Sequence, residues 1–330
     1  MKHKMAFPIA LNSRLLKRFT LRTAVCFLLM ICPGLLISAD AGEARAQTQG
    51  TIQTIMVRFR GVDRPVSLFV PTSYGSGTPI PLLFALHGGS GDASIMYDPN
   101  KHITEYAESE GFIAVFPNGL PRPGAPPNST NYYWEDPANK PYMSHLIDLM
   151  QDTFTVDTAR IYFVGFSGGA KLIYGLTADP QISARIAAVA TVAGEIGGKS
   201  TEPMTSQWEV IDPSISGGVP MSALLLQGGS DQRMPEQGGF DDDFEKIASS
   251  FQMKVDIWRL FINARTGSSV TLLGAPPRVE ATRYTNPTTG DTVISATDPV
   301  LAHRWPEWNY MGAIWDFFEY APTRQARKRK

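Results

Sequence analysis

A serine between glycines, placed after a strand-like run and before a helical run, constrains the fold of this chain more than any other feature. Residues 165–169 read Gly-Phe-Ser-Gly-Gly, after the apolar and aromatic run 161–164 and before apolar residues at helical spacing over 170–176. A strand, a Gly-x-Ser-x-Gly turn and a helix predict a nucleophile elbow, in which glycines let the backbone turn sharply and expose the hydroxyl of Ser167. The amide of Gly168 would then face a developing oxyanion. The motif therefore predicts serine-based acyl transfer.

The N-terminal segment has the composition of an export signal. Three basic residues between positions 17 and 22 precede an apolar run over residues 23–39, and residues 44–46 (ARA) form a cleavage pattern, with 39–41 (ADA) a second. This order predicts a signal peptide over residues 1–46. A membrane anchor is the alternative, although a proline and a glycine break the run and it is short for a span of about 20 residues. We therefore expect a secreted or periplasmic protein with no stable membrane association after cleavage.

Composition narrows the classes of partner and cofactor. The formal net charge is −1 over 330 residues, which gives no reason to expect a nucleic-acid partner. Cys26 and Cys32 both lie in the apolar N-terminal run, so the mature chain would have no disulfide and no thiolate metal site. No cofactor or metal is implied. We expect one catalytic domain over residues 47–322 and a disordered basic tail over 323–330.

Short apolar runs alternate with helical patterns along the rest of the chain. This alternation predicts an α/β fold with a mostly parallel central sheet and helices on both faces. An antiparallel hairpin begins the domain, and turn residues predict a second hairpin that joins 279–284 to 292–296. The predicted strands cover 54–60, 66–71, 82–87, 112–117, 161–165, 186–192 and 222–228, and the predicted helices cover 103–109, 143–152, 170–178, 240–251 and 310–320.

A long loop over residues 120–141 is rich in proline and asparagine and carries Tyr132, Tyr133 and Trp134. Loops of this length without regular structure are uncommon in compact domains and are often functional. The alternative is that the aromatic side chains pin the loop to the domain surface. Both interpretations remain open at this stage.

The catalytic base and acid can be sought downstream of the serine. Of the five histidines, only His303 follows Ser167, and its alternative role is a surface histidine beside a tryptophan. The apolar run 222–228 leads into Gly229, Ser230 and Asp231, where an acid that orients the base is expected. The competing acids, Asp241 to Asp243, resemble first-turn residues of a helix, and Glu236 is a weaker candidate.

A second glycine turn follows the run 82–87. Gly88 and Gly89 can bring backbone N–H groups to a substrate oxygen, as an oxyanion loop does. We interpret His87 as a structural residue that holds this loop rather than as a proton carrier.

Several further motifs follow one another along the chain. They are 81–89 (PLLFALHGG), 111–119 (GFIAVFPNG), 156–162 (VDTARIY), the elbow, 229–231 (GSD) with 234–239 (MPEQGG), and 303–306 (HRWP). In this order they resemble the secreted polyhydroxybutyrate depolymerase-like and feruloyl esterase-like group of α/β-hydrolases. They span about residues 54–320, which makes the resemblance far more specific than the serine motif alone.

The resemblance implies an esterase with Ser167 as nucleophile, Asp231 as orienting acid and His303 as base. It also implies amides near Gly88 and at Gly168 in the oxyanion hole. Trp134 and Trp305 would be candidates for the substrate cleft. The ester would be a hydroxybutyrate oligomer, or a feruloyl or acetyl ester of polysaccharide.

The chain departs from the group in a few places. Leu301 and Ala302 stand where glycines usually precede the base, and Ala138 and Asn139 stand about where paired acids are often found. The usual cysteines are also missing from residues 47–330, and we expect no appended polymer-binding domain within these residues. Two other functions remain open: a serine peptidase of the prolyl oligopeptidase type, and a binding module with a degraded site.

Overall fold

Apolar strands that end in glycine or polar turns build one large sheet, and helices cover both of its faces. The computed structural model describes residues 49–75, 77–126, 129–196, 198–200, 213, 216–240 and 246–328. The predicted signal peptide and Asp241 to Asp243 lie outside the described residues. No helix in the described ranges is long and apolar enough to cross a membrane.

Fifteen strands are present in the described part of the chain. They are β1 (Ile52–Phe59), β2 (Val62–Phe69), β3 (Ile80–Leu86), β4 (Ile113–Pro117), β5 (Leu120–Pro121), β6 (Tyr132–Tyr133), β7 (Val156–Phe166), β8 (Ala188–Val192), β9 (Gly198–Ser200), β10 (Ser222–Gly228), β11 (Gly239–Phe240), β12 (Lys246–Ala248), β13 (Gly267–Val270), β14 (Glu280–Thr285) and β15 (Thr292–Asp298).

Ten of these strands form the main sheet, in the order β1-β2-β4-β3-β7-β8-β10-β15-β14-β13. The six central strands, from β4 to β15, pair in parallel. The two strands at each edge pair antiparallel, including the predicted hairpins β1–β2 and β14–β15. The prediction of a mostly parallel sheet is therefore confirmed for its centre, where strands buried on both faces read as continuous apolar runs.

Seven α-helices lie in the described ranges: α1 (Ile103–Glu110), α2 (Asn139–Thr153), α3 (Gly168–Thr177), α4 (Pro180–Ser183), α5 (Phe251–Phe261), α6 (Tyr310–Tyr320) and α7 (Arg324–Lys328). One hydrophobic core contains the buried side chains of α2, α3 and α5, and a second contains those of α1 and α6. Alternate residues of the central strands face the two cores. Leu82 and Phe84 of β3 belong to the first core, and Leu83 to the second.

Parallel pairing determines where functional side chains meet. Strands β3, β7, β8, β10 and β15 all end at the same edge of the sheet, because parallel strands share one direction. The loops that follow β3, β7, β10 and β15 carry His87, Ser167, Asp231 and His303. Ligands of open α/β sheets bind outside the carboxyl ends of the strands.

The predicted helix over 240–251 is wrong. Residues Lys246–Ala248 form strand β12, and the helix begins at Phe251, where the first turn is capped by Ser250. The Ser250 hydroxyl accepts a hydrogen bond from Met253 N at 3.2 Å, as expected of an N-cap serine. Acidic residues at 241–243 resembled a helix start, but the serine further along determines the boundary.

The expectation of a disordered basic tail is wrong for residues 324–328. Helix α7 turns two arginines toward the sheet, where Arg324 donates to Pro220 O at 3.1 Å and Arg327 donates to Ala187 O at 2.8 Å. Arg327 also pairs with the buried carboxylate of Asp291 at 2.5 Å. The folded part of the chain therefore extends beyond residue 322.

Candidate active site

Ser167 occupies a strained turn between β7 and α3. Its backbone has φ 51° and ψ −114°, a region that costs a non-glycine residue about 1–3 kcal/mol. Two backbone hydrogen bonds hold the turn: Ser167 N donates to Val192 O at 2.9 Å, and Lys171 N donates to Ser167 O at 3.0 Å. The strain falls on the serine itself, as a nucleophile elbow requires.

The glycines of the motif are needed for close packing rather than for unusual backbone angles. A Cβ at Gly165 would lie 2.7 Å from the nitrogen of Ala170, and a Cβ at Gly169 would lie 2.5 Å from the carbonyl oxygen of Leu86. Neither glycine has a positive φ. Helix α3 therefore begins in direct contact with β7 and with the end of β3.

Ser167, His303 and Asp231 form one hydrogen-bonded line. The Nε2 atom of His303 lies 2.9 Å from Ser167 Oγ, and its Nδ1 atom lies 2.8 Å from Asp231 Oδ2. The other oxygen of Asp231 accepts N–H bonds from Arg233 at 3.0 Å and Met234 at 2.8 Å. The Asp231 side chain is fully buried, and the His303 side chain is 17% exposed. The buried carboxylate of Asp231 therefore orients the imidazole, and the other ring nitrogen faces the hydroxyl of Ser167.

The loops that carry Asp231 and His303 are tied to each other. Gly229 N donates to Asp298 O at 2.9 Å, and Ser230 N donates to Leu301 O at 3.1 Å. The Ser230 hydroxyl donates to Pro299 O at 2.9 Å. Leu301 is buried. Although Leu301 and Ala302 stand where glycines usually precede the base, His303 Nε2 lies within hydrogen-bond distance of Ser167 Oγ.

The glycine turn after β3 lies close to Ser167 and to the start of α3. A Cβ at Gly168 would lie 3.0 Å from Gly89 N, and a Cβ at Gly88 would lie 3.5 Å from Ser167 Cβ. The N–H of Gly168 is in the first turn of α3, where helical donors have no intrahelical acceptor. Within the described residues, the N–H of Gly89 has no backbone acceptor. These amides can donate to an oxygen that becomes negative beside the serine.

His87 lies beneath this loop and makes no contact with the serine. It is fully buried, its Nδ1 lies 2.6 Å from Gly88 O, and Gly119 N donates to its Nε2 at 3.4 Å. These partners assign the proton of the neutral ring to Nδ1. Burial lowers the pKa of His87 from 6.5 to about 4. His87 is therefore a neutral support of the loop at neutral pH, as interpreted from the sequence.

We expect the free energy of unfolding to fall as the pH is lowered from about 6.5 to about 4. In this window the unfolded chain binds a proton at His87 that the folded chain does not, so stability rises with pH. The difference between the two pKa values corresponds to about 3 kcal/mol, present above pH 6.5 and lost as the pH falls through 4. Urea unfolding at several pH values measures this change in the free energy of unfolding.

The variant His87→Asn should flatten the pH dependence of unfolding, since it removes the titrating ring. His102→Asn is the matched control, because His102 is partly exposed and asparagine tolerates its left-handed backbone. The flattening should be larger in His87→Asn than in His102→Asn. Parallel pH profiles for wild type and His87→Asn would contradict this account.

Neither tryptophan expected in the substrate cleft offers much surface to a ligand. Trp134 is 3% exposed, and its indole N–H donates to His87 O at 2.8 Å. Trp305 is 9% exposed and packs edge-on against Tyr310. The expectation of a direct substrate contact is therefore not supported at either position, because the aromatic surfaces are turned inward.

Phe166 was missed by the sequence analysis, although it stands within the serine motif. Its ring lies 5.1 Å from the imidazole of His303. A Cβ at Gly88 would lie 2.9 Å from the same ring. The half-buried ring thus packs between the base and the glycine turn. Its aromatic character next to Ser167 was the available signal.

A buried charge pair behind the acid loop was also missed. Lys254 of α5 donates to Gly194 O at 2.8 Å, and its Nζ lies 4.0 Å from Glu195 Oε2. Burial lowers the pKa of Lys254, while the charges of Glu195 and Asp231 oppose that shift. The pair ties α5 to the loop after β8. No sequence pattern at residues 193–195 or 249–254 had indicated a contact between them.

The order of the strands and the turn that carries Ser167 define the fold class of this chain. A mostly parallel sheet with helices on both faces, and a serine on the turn between a central strand and a helix, is the architecture of the α/β-hydrolases. The chain has this fold. The acetyl xylan esterase from Aspergillus awamori has a similar structure, with a TM-score of 0.56 at 13% identity over 82% of this chain and 100% of that one.

Two curated proteins are similar in sequence, and both are named as esterases. The chain is 33% identical over 139 residues to the bifunctional acetylxylan esterase/xylanase XynS20E of Neocallimastix patriciarum, which covers 42% of this chain and 19% of that protein. It is 25% identical over 185 residues to feruloyl esterase D of Neurospora crassa, which covers 53% of this chain and 60% of that protein. No protein-family model matches the chain.

Proposed function

We propose that this protein is a serine esterase that hydrolyses carboxylic esters through an acyl-enzyme. The observation that carries the proposal is the line of hydrogen bonds from Ser167 Oγ through His303 to Asp231. Similarity to proteins named as acetylxylan esterase and feruloyl esterase supports the same activity. The triad geometry supports serine-based acyl transfer, and the names of the similar proteins support an ester as the bond that is cleaved.

In the proposed first step, Ser167 Oγ attacks the ester carbonyl while His303 Nε2 takes its proton. The resulting imidazolium is stabilised by the Asp231 carboxylate, which holds the proton on Nδ1. The tetrahedral intermediate then collapses, and His303 gives its proton to the leaving alcohol. Water, deprotonated by the same Nε2, attacks the acyl-enzyme, and the acid product leaves as Ser167 recovers its proton.

Negative charge on the tetrahedral intermediate would be accepted by backbone amides. Gly168 N–H and the amides of Gly88 and Gly89 are the donors we assign to it. One such donor contributes about 3–4 kcal/mol to the reduction of the barrier in a preorganised site. The glycine turn therefore matters to the rate as much as a catalytic side chain does.

The proposed substrate class rests on the names of the two proteins of similar sequence and not on the geometry of the site. Their names indicate acetyl and feruloyl esters, which we propose as the first candidates for this chain, carried on polysaccharide. Hydroxybutyrate oligomers remain a third candidate from the resemblance of the sequence motifs. The observed hydrogen bond between His303 and Ser167 argues against a degraded binding module, since Ala302 does not displace the base.

Turnover of simple esters by the purified mature chain tests the activity. We expect hydrolysis of p-nitrophenyl acetate. A panel of acetylated xylan, a feruloylated sugar and a hydroxybutyrate dimer at equal concentration would then identify the preferred substrate. Failure to hydrolyse any ester would refute the proposal. Cleavage of a peptide amide at a comparable rate would favour the peptidase instead.

We also propose that residues 1–46 direct export of the protein. The basic, apolar and small-residue order of that segment supports the proposal. N-terminal sequencing of the exported protein should give a start near residue 47. An uncleaved chain in the membrane fraction would favour the anchor.

A further inference from the structure

The oxyanion loop, defined here as residues 87–91, is hydrogen-bonded to a neighbouring element of the long loop. This element is the β5–β6 arm, which we define as residues 119–122 and 131–134. All of it except residue 119 belongs to the long loop over residues 120–141. Ser90 N donates to Tyr132 O at 3.2 Å, and Tyr132 N donates to Gly91 O at 3.0 Å. The arm therefore extends the oxyanion loop as a short antiparallel bridge.

The buried side chain of Trp134 holds the start of the oxyanion loop at His87. Its indole N–H donates to the His87 carbonyl at 2.8 Å, and its ring lies 4.7 Å from the His87 imidazole. The same carbonyl faces the start of α3, since a Cβ at Gly169 would lie 2.6 Å from it. The His87 carbonyl is thus fixed between the arm and the helix that carries Gly168.

The direction of the oxyanion amides follows from the direction of these carbonyls. In a planar trans peptide the C=O group and the next N–H group point in opposite directions. Fixing the His87 carbonyl therefore fixes the Gly88 N–H. Gly88 O, held by His87 Nδ1 at 2.6 Å, fixes the Gly89 N–H in the same way.

Arg122 holds the other end of the loop. Its Nη2 donates to the Ser90 hydroxyl at 3.3 Å, and its Nε donates to Asn131 Oδ1 at 3.1 Å. Ser90 has φ 61°, a left-handed conformation that a serine keeps only when its surroundings impose it. The contacts of the arm with Ser90 supply that constraint.

We propose that the β5–β6 arm positions the oxyanion amides and that Trp134 is its principal positioning residue. The indole N–H fixes the His87 carbonyl and with it the Gly88 N–H. The indole ring packs against the His87 imidazole, whose Nδ1 holds Gly88 O and so fixes the Gly89 N–H. Both amides would then donate to the oxygen of the carbonyl group that Ser167 attacks. Trp134 thus acts from beneath the loop and does not touch the substrate. This inference rests on the proposed ester hydrolysis.

The variant Trp134→Phe tests the proposal, because it keeps an aromatic ring and removes the donor. We expect kcat for p-nitrophenyl acetate to fall about ten- to hundredfold, the size of effect that a misplaced oxyanion donor produces. KM should stay within about twofold, since the donor acts on the transition state. A boronic acid that forms a tetrahedral adduct with Ser167 should bind more weakly by about the same factor as kcat falls.

Trp315→Phe is the matched control. Trp315 is 6% exposed, and its indole N–H has no hydrogen-bond acceptor within the described residues. It packs against Phe112, on the opposite face of the sheet from α3. This variant should keep the wild-type kcat and boronic acid affinity even where its Tm falls.

The outcomes separate this inference from the proposed function. If the wild type hydrolyses no ester, the proposed function fails. If the wild type is active and Trp134→Phe behaves like Trp315→Phe, the positioning role is overturned and the function stands. If Trp134→Phe does not fold, Arg122→Met tests the role of the arm instead, because Arg122 is half-buried and contacts Ser90 at the other end of the loop. Unchanged kcat and boronic acid affinity in that variant would overturn the proposal.

Discussion

Replacing Ser167 with alanine is expected to lower kcat for p-nitrophenyl acetate by at least about a thousandfold, and His303→Ala should do the same. Ser167 is the only hydroxyl that His303 Nε2 contacts in the described residues, at 2.9 Å. Without the hydroxyl there is no nucleophile, and without the imidazole the hydroxyl keeps its proton. A thousandfold loss corresponds to about 4 kcal/mol of transition-state stabilisation.

The two losses should not add when both residues are replaced. Nucleophile and base act as one unit, so the double variant should be about as inactive as either single variant. Ser109→Ala and His102→Asn are the matched controls, since both residues are on the surface around α1, away from the site. Retention of activity in His303→Ala would show that the base has been assigned wrongly.

Asp231→Asn is expected to lower kcat by about 10⁴-fold while leaving the fold intact. The Asp231 Oδ1 atom accepts two backbone N–H bonds, from Arg233 and Met234. In the asparagine variant the amide oxygen must keep that position, because the backbone groups can only donate. The amide NH₂ group then faces His303 Nδ1.

A donor in that position reverses the tautomer of the imidazole. Nδ1 must accept from the NH₂ group, so the ring proton moves to Nε2, and Nε2 can no longer take the proton of Ser167. Asp179→Asn is the matched control, because Asp179 also accepts two backbone N–H bonds, at the start of α4 and far from the serine. Steady-state kinetics with circular dichroism distinguish lost chemistry from lost structure. An Asp231→Asn variant within about tenfold of the wild type would contradict the proposed role of the acid.

The sheet and the line of catalytic candidates could be predicted from the sequence because each depends on local signals. Strand β10 was predicted with its observed bounds, since a continuous apolar run ends at a glycine turn. Ser167, Asp231 and His303 follow β7, β10 and β15, which run parallel in one sheet. Strands that share a direction bring their ends to the same edge. Chain order was therefore enough to nominate all three residues.

Features that depend on long-range contacts could not be predicted in the same way. The tail was expected to be disordered because basic residues dominate it, yet Arg327 finds the carboxylate of Asp291 some 36 positions earlier in the chain. Trp134 was placed in the substrate cleft, yet its N–H finds the carbonyl of His87, 47 positions earlier. Neither partner is visible in a local pattern.

Covalent labelling would identify the nucleophile of this protein. The purified protein would be treated with a p-nitrophenyl phosphonate, and its intact mass and peptide map measured by mass spectrometry beside Ser167→Ala. We expect one adduct per chain, on Ser167, with loss of esterase activity in proportion to labelling and no adduct in the variant. An adduct on a different residue, or full loss of activity with Ser167 unlabelled, would contradict it.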